Sequence, residues 1–287
     1  MEFHQPDIPE IARRTVNGDA RIVRSLEELK AMHHDSTRGM FEGAFRDFTE
    51  SPGIIAAISA HHISTKVRQA MGINQREMPR PELPAVLMAP GYFGPNHYLR
   101  YLTLSLGWPP IWLSEFDNLR LRGHIGTSAE KYAEVLRQRE APTIIMAHSR
   151  GGPTVLKTLE ILQKEGNDAT VIAVILISPI SYGIREEIAQ IARFIPMNTI
   201  QEMCPGNALQ TNFEHLTPTN RAKVVVINSA HGDQFTSAKN GFVEGGTLIL
   251  THKTDGHIQQ CVDPNCTTFK IATGISEGII QAIHQNT

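Results

Sequence analysis

The rhythm of apolar and polar positions changes near residue 85. Before it the spacing is helical. Leu26, Leu29 and Met32, then Phe41, Phe45 and Phe48, recur every three or four residues and predict helix through much of 25–50. Ile54, Ile55, Ile58 and Val67 predict a second helical stretch over 53–71. The run Met78-Pro79-Arg80-Pro81-Glu82-Leu83-Pro84 is a proline-rich connector. Residues 1–84 therefore read as a helical extension packed on a main domain, 85–287.

From Ala85 onward, short apolar runs alternate with helical patterns. Strands are predicted at 85–89, 110–114, 143–147, 170–178, 223–228 and 247–251. Helices are predicted at 96–106, 128–139 (capped by Thr127 or Ser128), 152–165 and within 266–285. The run Val171-Ile172-Ala173-Val174-Ile175-Leu176-Ile177 is too continuously apolar for a strand with one wet face. The predicted fold class is α/β, a mostly parallel central sheet flanked by helices. One connection breaks the pattern. Residues 179–221 far exceed an ordinary loop of ~4–6 residues, and Ile184, Ile188, Ile191, Phe194 and Ile195 place an amphipathic helix in it. This is a lid-like insertion, with Ile188 and Phe194 as candidates for an apolar substrate wall.

Composition narrows the picture only slightly. The 287 residues are 41% hydrophobic and 20% charged, with a net charge of -2, so there is no basic field for nucleic acid. No apolar run approaches the roughly 20 residues that span a bilayer. Met1 to Arg14 lacks a basic-then-apolar leader. That fits a cytoplasmic protein, although a trimmed leader or another export route fits as well. Oligomeric state is not legible. The three cysteines, Cys204, Cys261 and Cys266, suit reduced, partly buried thiols better than a disulfide framework. No Cys/His spacing suggests a metal site.

The candidate chemistry centres on Ala147-His148-Ser149-Arg150-Gly151-Gly152. A predicted strand ends in a serine flanked two residues away by Ala and Gly, and a helix follows. A nucleophile elbow needs this arrangement, because strand and helix backbones nearly touch around a strained serine. Serine also needs a base, usually a histidine held by a buried carboxylate, in the chain order serine, acid, histidine. Asp233 follows the strand at 223–228, and His257 follows the strand at 247–251. His252 and His231 compete as base, and Asp255 competes as acid. An oxyanion would need two N–H donors. One is expected from Arg150. The other is expected from the loop Pro90-Gly91-Tyr92-Phe93-Gly94, by position Tyr92, with Phe93 as runner-up or as a substrate contact. The Arg150 side chain is then free to hold an anionic substrate group or to pair with an insertion acid such as Glu186 or Glu187.

With these motifs in place, Ala85 to Ile283 resembles the α/β-hydrolase superfamily, in particular its bacterial lipase and esterase branch. The Met203-Cys204-Pro205-Gly206-Asn207-Ala208-Leu209 segment is similar to the Pro-Gly-Ser stretch in the lid region of many such lipases. The oxyanion loop begins Pro-Gly where that branch has His-Gly. The resemblance implies an α/β-hydrolase fold and a Ser149, Asp233, His257 triad. It also implies Tyr92 and Arg150 backbone donors, no cofactor, and a small-molecule or lipid ester as substrate. Acyl transfer, or thioester or amide hydrolysis, would use the same triad. A non-catalytic binding module is the rival from another class.

Overall fold

The computed structural model describes residues 5–32, 37–50, 80–91, 96–103, 106–111, 124–194, 201–206 and 212–285. The helix expected over 53–71 lies outside them, as does the end of the strand expected at 110–114.

The first helix, α1 (Ile8–Thr15), is capped by the Asp7 side chain, which accepts the Glu10 N–H. A strand follows that the apolar pattern does not show: β1 (Ala20–Val23). The helical stretch expected through 25–50 is present as two helices, α2 (Leu26–Ala31) and α3 (Thr37–Glu50). Next come β2 (Ala85–Ala89) and, within the helical stretch expected at 96–106, a 3-10 helix at Asn96–Thr103. The two-residue β3 (Pro110–Ile111) leads to α4 (Ile125–Arg137) and β4 (Thr143–His148). The chain continues through α5 (Gly151–Glu165), β5 (Val171–Ile177), α6 (Glu186–Ala192) and α7 (Pro218–Ala222). It ends with β6 (Val224–Ser229), α8 (Ala238–Gly241), β7 (Thr247–Thr251), α9 (Gln259–Val262) and α10 (Thr267–Gln285).

The seven strands form one sheet in the order β1-β7-β6-β5-β4-β2-β3. All neighbours are parallel except β1, which runs antiparallel to β7 with Ala20 opposite Thr251. Alternation along each strand divides the core. Val86, Met88, Ile144 and Met146 face α1 and α10, while Leu87, Ile145 and Ala147 face α4 and α5. β5 sits in the middle of the order and every residue of it is buried, as its unbroken apolar run requires.

One expectation needs correction. α4 starts at Ile125, with His124 as its cap residue, rather than at Thr127 or Ser128. The reason is remote: the Glu202 carboxylate, from the insertion, accepts the Ile125 N–H at 3.0 Å, so no local serine or threonine is needed to satisfy that donor. On α3, Phe41 and Phe45 are exposed, while Gly43 and Asp47 are buried. Among the described residues, no helix is long and apolar enough to cross a membrane.

Candidate active site

β4, β6 and β7 are parallel, so the loops after them emerge at one edge of the sheet, where open α/β folds place their ligands. Ser149 follows β4 directly, with φ +53°, a left-handed conformation that a non-glycine residue adopts only under constraint. Its N–H donates to Ile177 O at 3.1 Å, and its own carbonyl accepts from Gly152 N at 3.0 Å. α5 starts immediately afterwards and crosses the end of β2. A Cβ on Gly151 would lie 2.0 Å from the Ala89 carbonyl oxygen, so this crossing excludes any side chain there. These are the steric conditions of a nucleophile elbow.

The loop after β2 reaches the same point. A Cβ on Gly91 would lie 3.0 Å from Ser149 Cβ and 3.4 Å from Ser149 Oγ, so the backbone passes directly over the serine. Tyr92 and Phe93 lie outside the described residues. Arg150 is the N-cap residue of α5. Its side chain is buried, and a guanidinium nitrogen sits 4.0 Å from Glu202 Oε2. Its acid partner therefore comes from the insertion, as one alternative held, but it is Glu202 and not Glu186 or Glu187. Glu186 pairs with Arg193 at 3.0 Å. Glu202 also contacts His124 Nδ1.

Asp233 and His257 are joined. His257 Nδ1 lies 2.8 Å from Asp233 Oδ2. The other carboxylate oxygen accepts the Phe235 and Thr236 N–H groups, each at 2.8 Å, and Gln260 Nε2 donates to Oδ2 at 3.2 Å. Burial acts to raise the Asp233 pKa, but the His257 ring and these N–H donors outweigh it and hold the carboxyl well below the usual range. Burial acts to lower the His257 pKa, but Asp233, with help from Asp47, raises it on balance. With Nδ1–H donated to the carboxylate, Nε2 carries the lone pair.

His148, next to Ser149, packs its ring 4.3 Å from the His257 ring and donates from Nε2 to the His257 carbonyl at 2.8 Å. Burial and the neighbouring His257 push its pKa far down, so it stays neutral. The ring of Phe235 covers His257 edge-on at 5.1 Å. The rival residues lie elsewhere. Asp255 takes its hydrogen bond from the Thr268 hydroxyl at 3.0 Å. His252 is exposed, with its N–H on Asp19 O at 2.9 Å. His231 and His252 line a separate cavity of about 370 Å³ with Phe45, Arg46 and Lys253.

Of the two candidate substrate contacts, Ile188 packs against the insertion's own cluster, Ile180, Ile184, Ala189 and Met203 among it, while Phe194 is 88% exposed. Cys261 and Cys266 are free, buried thiols with raised pKa values, chiefly from burial. Among the described residues, no three His, Cys, Asp or Glu side chains group as a metal site. Four site residues were not anticipated from sequence: His148, Gln260, Gln234 and Asp47. Only His148 had a signal, its place beside the serine.

No family model matches the chain, and no curated protein sequence matches it significantly. Solved structures do. A mature lipase of Bacillus licheniformis is 14% identical over 70% of this chain and 91% of its own, with a TM-score of 0.47. An esterase of Pyrobaculum calidifontis is 11% identical over 91% of this chain and 100% of its own, with a TM-score of 0.45. Lipase B of Aspergillus fumigatus is 13% identical over 70% of this chain and 62% of its own, with a TM-score of 0.51. Taken with the sheet order and the parallel β2–β7 core, this last match shows that the chain has the α/β-hydrolase fold.

Proposed function

We propose that this protein is a serine carboxylic-ester hydrolase of lipase or esterase type, with Ser149 as nucleophile, His257 as base and Asp233 as its orienting carboxylate. The observation that carries the reading is the strained Ser149 at the head of α5, beside the ring pair of His148 and an Asp233-bound His257. Strain alone does not single out Ser149, because Ser178 shares it at φ +40°; the buried, carboxylate-oriented histidine beside Ser149 is what a bare structural serine would not need. The fold shared with a lipase adds support.

In this reading His257 Nε2 takes the Ser149 proton as Oγ attacks the ester carbonyl. The oxyanion forms over the start of α5, where the Arg150 N–H and the helix dipole favour negative charge. Tyr92, next to Gly91, supplies the second N–H. The tetrahedral adduct collapses to an acyl-serine. The imidazolium gives its proton to the leaving alcohol. Water then enters, deprotonated by the same histidine, and a second tetrahedral adduct releases the carboxylic acid and restores the serine. None of these steps requires a cofactor. The insertion follows β5 at the same sheet edge, and its exposed Ile191 and Phe194 offer apolar surface to a long acyl chain.

The test is covalent labelling by a serine-reactive phosphonate together with a series of p-nitrophenyl esters. The expected result is one labelled serine, Ser149, and loss of both labelling and hydrolysis in Ser149→Ala. Labelling elsewhere, or hydrolysis retained in that variant, overturns the proposal. Deacylation accelerated by added alcohol more than by water would convert the reading to acyl transfer.

A further inference from the structure

The N-terminal segment reaches the candidate site through α3. Gly43 and Asp47 are four residues apart and share one helix face. A Cβ on Gly43 would lie 2.5 Å from Gln234 Oε1, 3.0 Å from Gln234 N and 3.3 Å from Asp233 Cα. Lacking one, α3 settles against the loop that carries Asp233. One turn further on, Asp47 is only 7% exposed. Its Oδ1 accepts the N–H of Ile258 at 3.1 Å and of Gln259 at 3.0 Å. Its Oδ2 also contacts the Ile258 N–H, at 3.1 Å, and accepts from Gln234 Nε2. Gln234 Oε1 in turn accepts the His257 N–H at 3.2 Å. Three consecutive backbone donors, those of residues 257, 258 and 259, are thus held by Asp47 directly or through Gln234.

We infer that Asp47 is a positioning residue for His257: it fixes the loop that carries the base and places a second negative charge behind the imidazole. This rests on His257 being the base of the proposed hydrolase. A neutral acceptor would satisfy the same N–H groups with less desolvation cost than a buried carboxylate. Only the carboxylate adds charge, and imidazolium is the species that charge favours during the reaction. Among the described residues, charged and titratable groups approach His257 and its acid from four elements, the insertion included, whose buried Arg185 donates to the Asp233 carbonyl at 2.5 Å. Asp233 faces it from the β6 loop, Asp47 from α3, and the neutral His148 from β4. The Phe235 ring is uncharged, and Asp255, on the same loop as His257, is engaged by Thr268. Among the described residues, Asp233 and Asp47 are the charges that favour imidazolium.

The experiment is the pH dependence of kcat/KM for a short p-nitrophenyl ester, with active enzyme counted by phosphonate titration. It compares wild type, Asp47→Asn, Asp47→Ala, Asp47→Glu and Ser149→Ala. The acid limb reports the free-enzyme base. Removing a negative charge destabilises imidazolium, so His257 releases its proton at lower pH. The limb of both neutral variants should move down by about half a pH unit or more, with kcat/KM about 10-fold or more below wild type at neutral pH. Asp47→Glu keeps the charge and should keep the wild-type midpoint at a reduced rate. The midpoint does not depend on how much protein folds, so a poorly folding variant still gives an answer. A wild-type midpoint in both neutral variants, whatever their rate, overturns the inference and leaves Asp47 as structural. Activity retained by Ser149→Ala would instead refute the hydrolase reading itself, which separates the two failures.

Discussion

Asp233 and Asp47 approach His257 from opposite ends of the chain, and burial meets a different response at each. Asp233 touches the imidazole directly at 2.8 Å. Its pKa is depressed because the ion pair and the N–H donors outweigh burial. Asp47 accepts from peptide and amide donors and feels the His257 charge only at longer range, and burial outweighs all of these, so its pKa is raised. A direct cationic partner makes the ionised form of a buried carboxylate the comfortable one. Dipoles alone do not fully offset desolvation. One carboxylate thus stabilises its neighbourhood while ionised, and the other ionises at a cost in stability, to which the proposed positioning role would give a use.

The largest effect that could break this contrast is expected at Asp233. Asp233→Asn should lower kcat by roughly 10³–10⁴-fold, because an amide leaves the imidazole in the wrong tautomer. Steady-state hydrolysis at neutral pH measures this, and a loss of less than tenfold would remove Asp233 from the orienting role. Next comes Gly43→Val. The added side chain meets the Asp233–Gln234 loop and lifts α3, so kcat/KM should fall about 10-fold with the same acid-limb shift as Asp47→Asn. The double variant should add little further, since both changes break one contact.

Stability should separate the carboxylates by sign. A depressed pKa contributes stability that is full above the unfolded value of about 3.9 and is lost as pH falls through the lower folded value. The deficit of Asp233→Asn should therefore shrink only below about pH 4. A raised pKa works the other way: its contribution is present below the unfolded value and is lost as pH rises through the folded one. Relative to wild type, Asp47→Asn should improve as pH climbs above about 4. Urea unfolding across the pH range tests both, and parallel curves would dissolve the contrast. The smallest effect is expected far from either acid. Phe194→Ser alters a side chain 88% exposed, so stability should stay within about 0.5 kcal/mol and acetate ester turnover should not change. Slower turnover of long-chain esters alone would give Phe194 a substrate role.

The sheet edge that carries Ser149, Asp233 and His257 was legible because its constraints are local. Gly151 is demanded by the Ala89 carbonyl, and the turn that needs it has a recognisable sequence. Asp233 and His257 sit just past apolar strands that announce themselves. The N-terminal segment was read only in outline. Phe41 and Phe45 mark the apolar face of α3, yet the helix meets polar loops through Gly43 and Asp47, and periodicity is blind to an interface made of hydrogen bonds. β1 is only Ala20-Arg21-Ile22-Val23, too short for alternation to declare itself, and it is held by pairing with β7. The start of α4 was misplaced for a related reason, since its first donor is satisfied by Glu202, 77 positions away. Contacts of that span leave no trace in a sequence window.

The antiparallel seam between β1 and β7 also orders events in time. Ala20 leaves the ribosome about 230 residues ahead of its partner Thr251. At roughly 5–20 residues per second, β1 waits tens of seconds for the strand it will join. The Ile258 and Gln259 amides that Asp47 captures are made later still. Until then Ser149 and its elbow can exist, but the histidine loop has no brace. In the proposed hydrolase, competence would therefore wait for the chain through Gln259, and a nascent product ending short of it would lack the brace on His257.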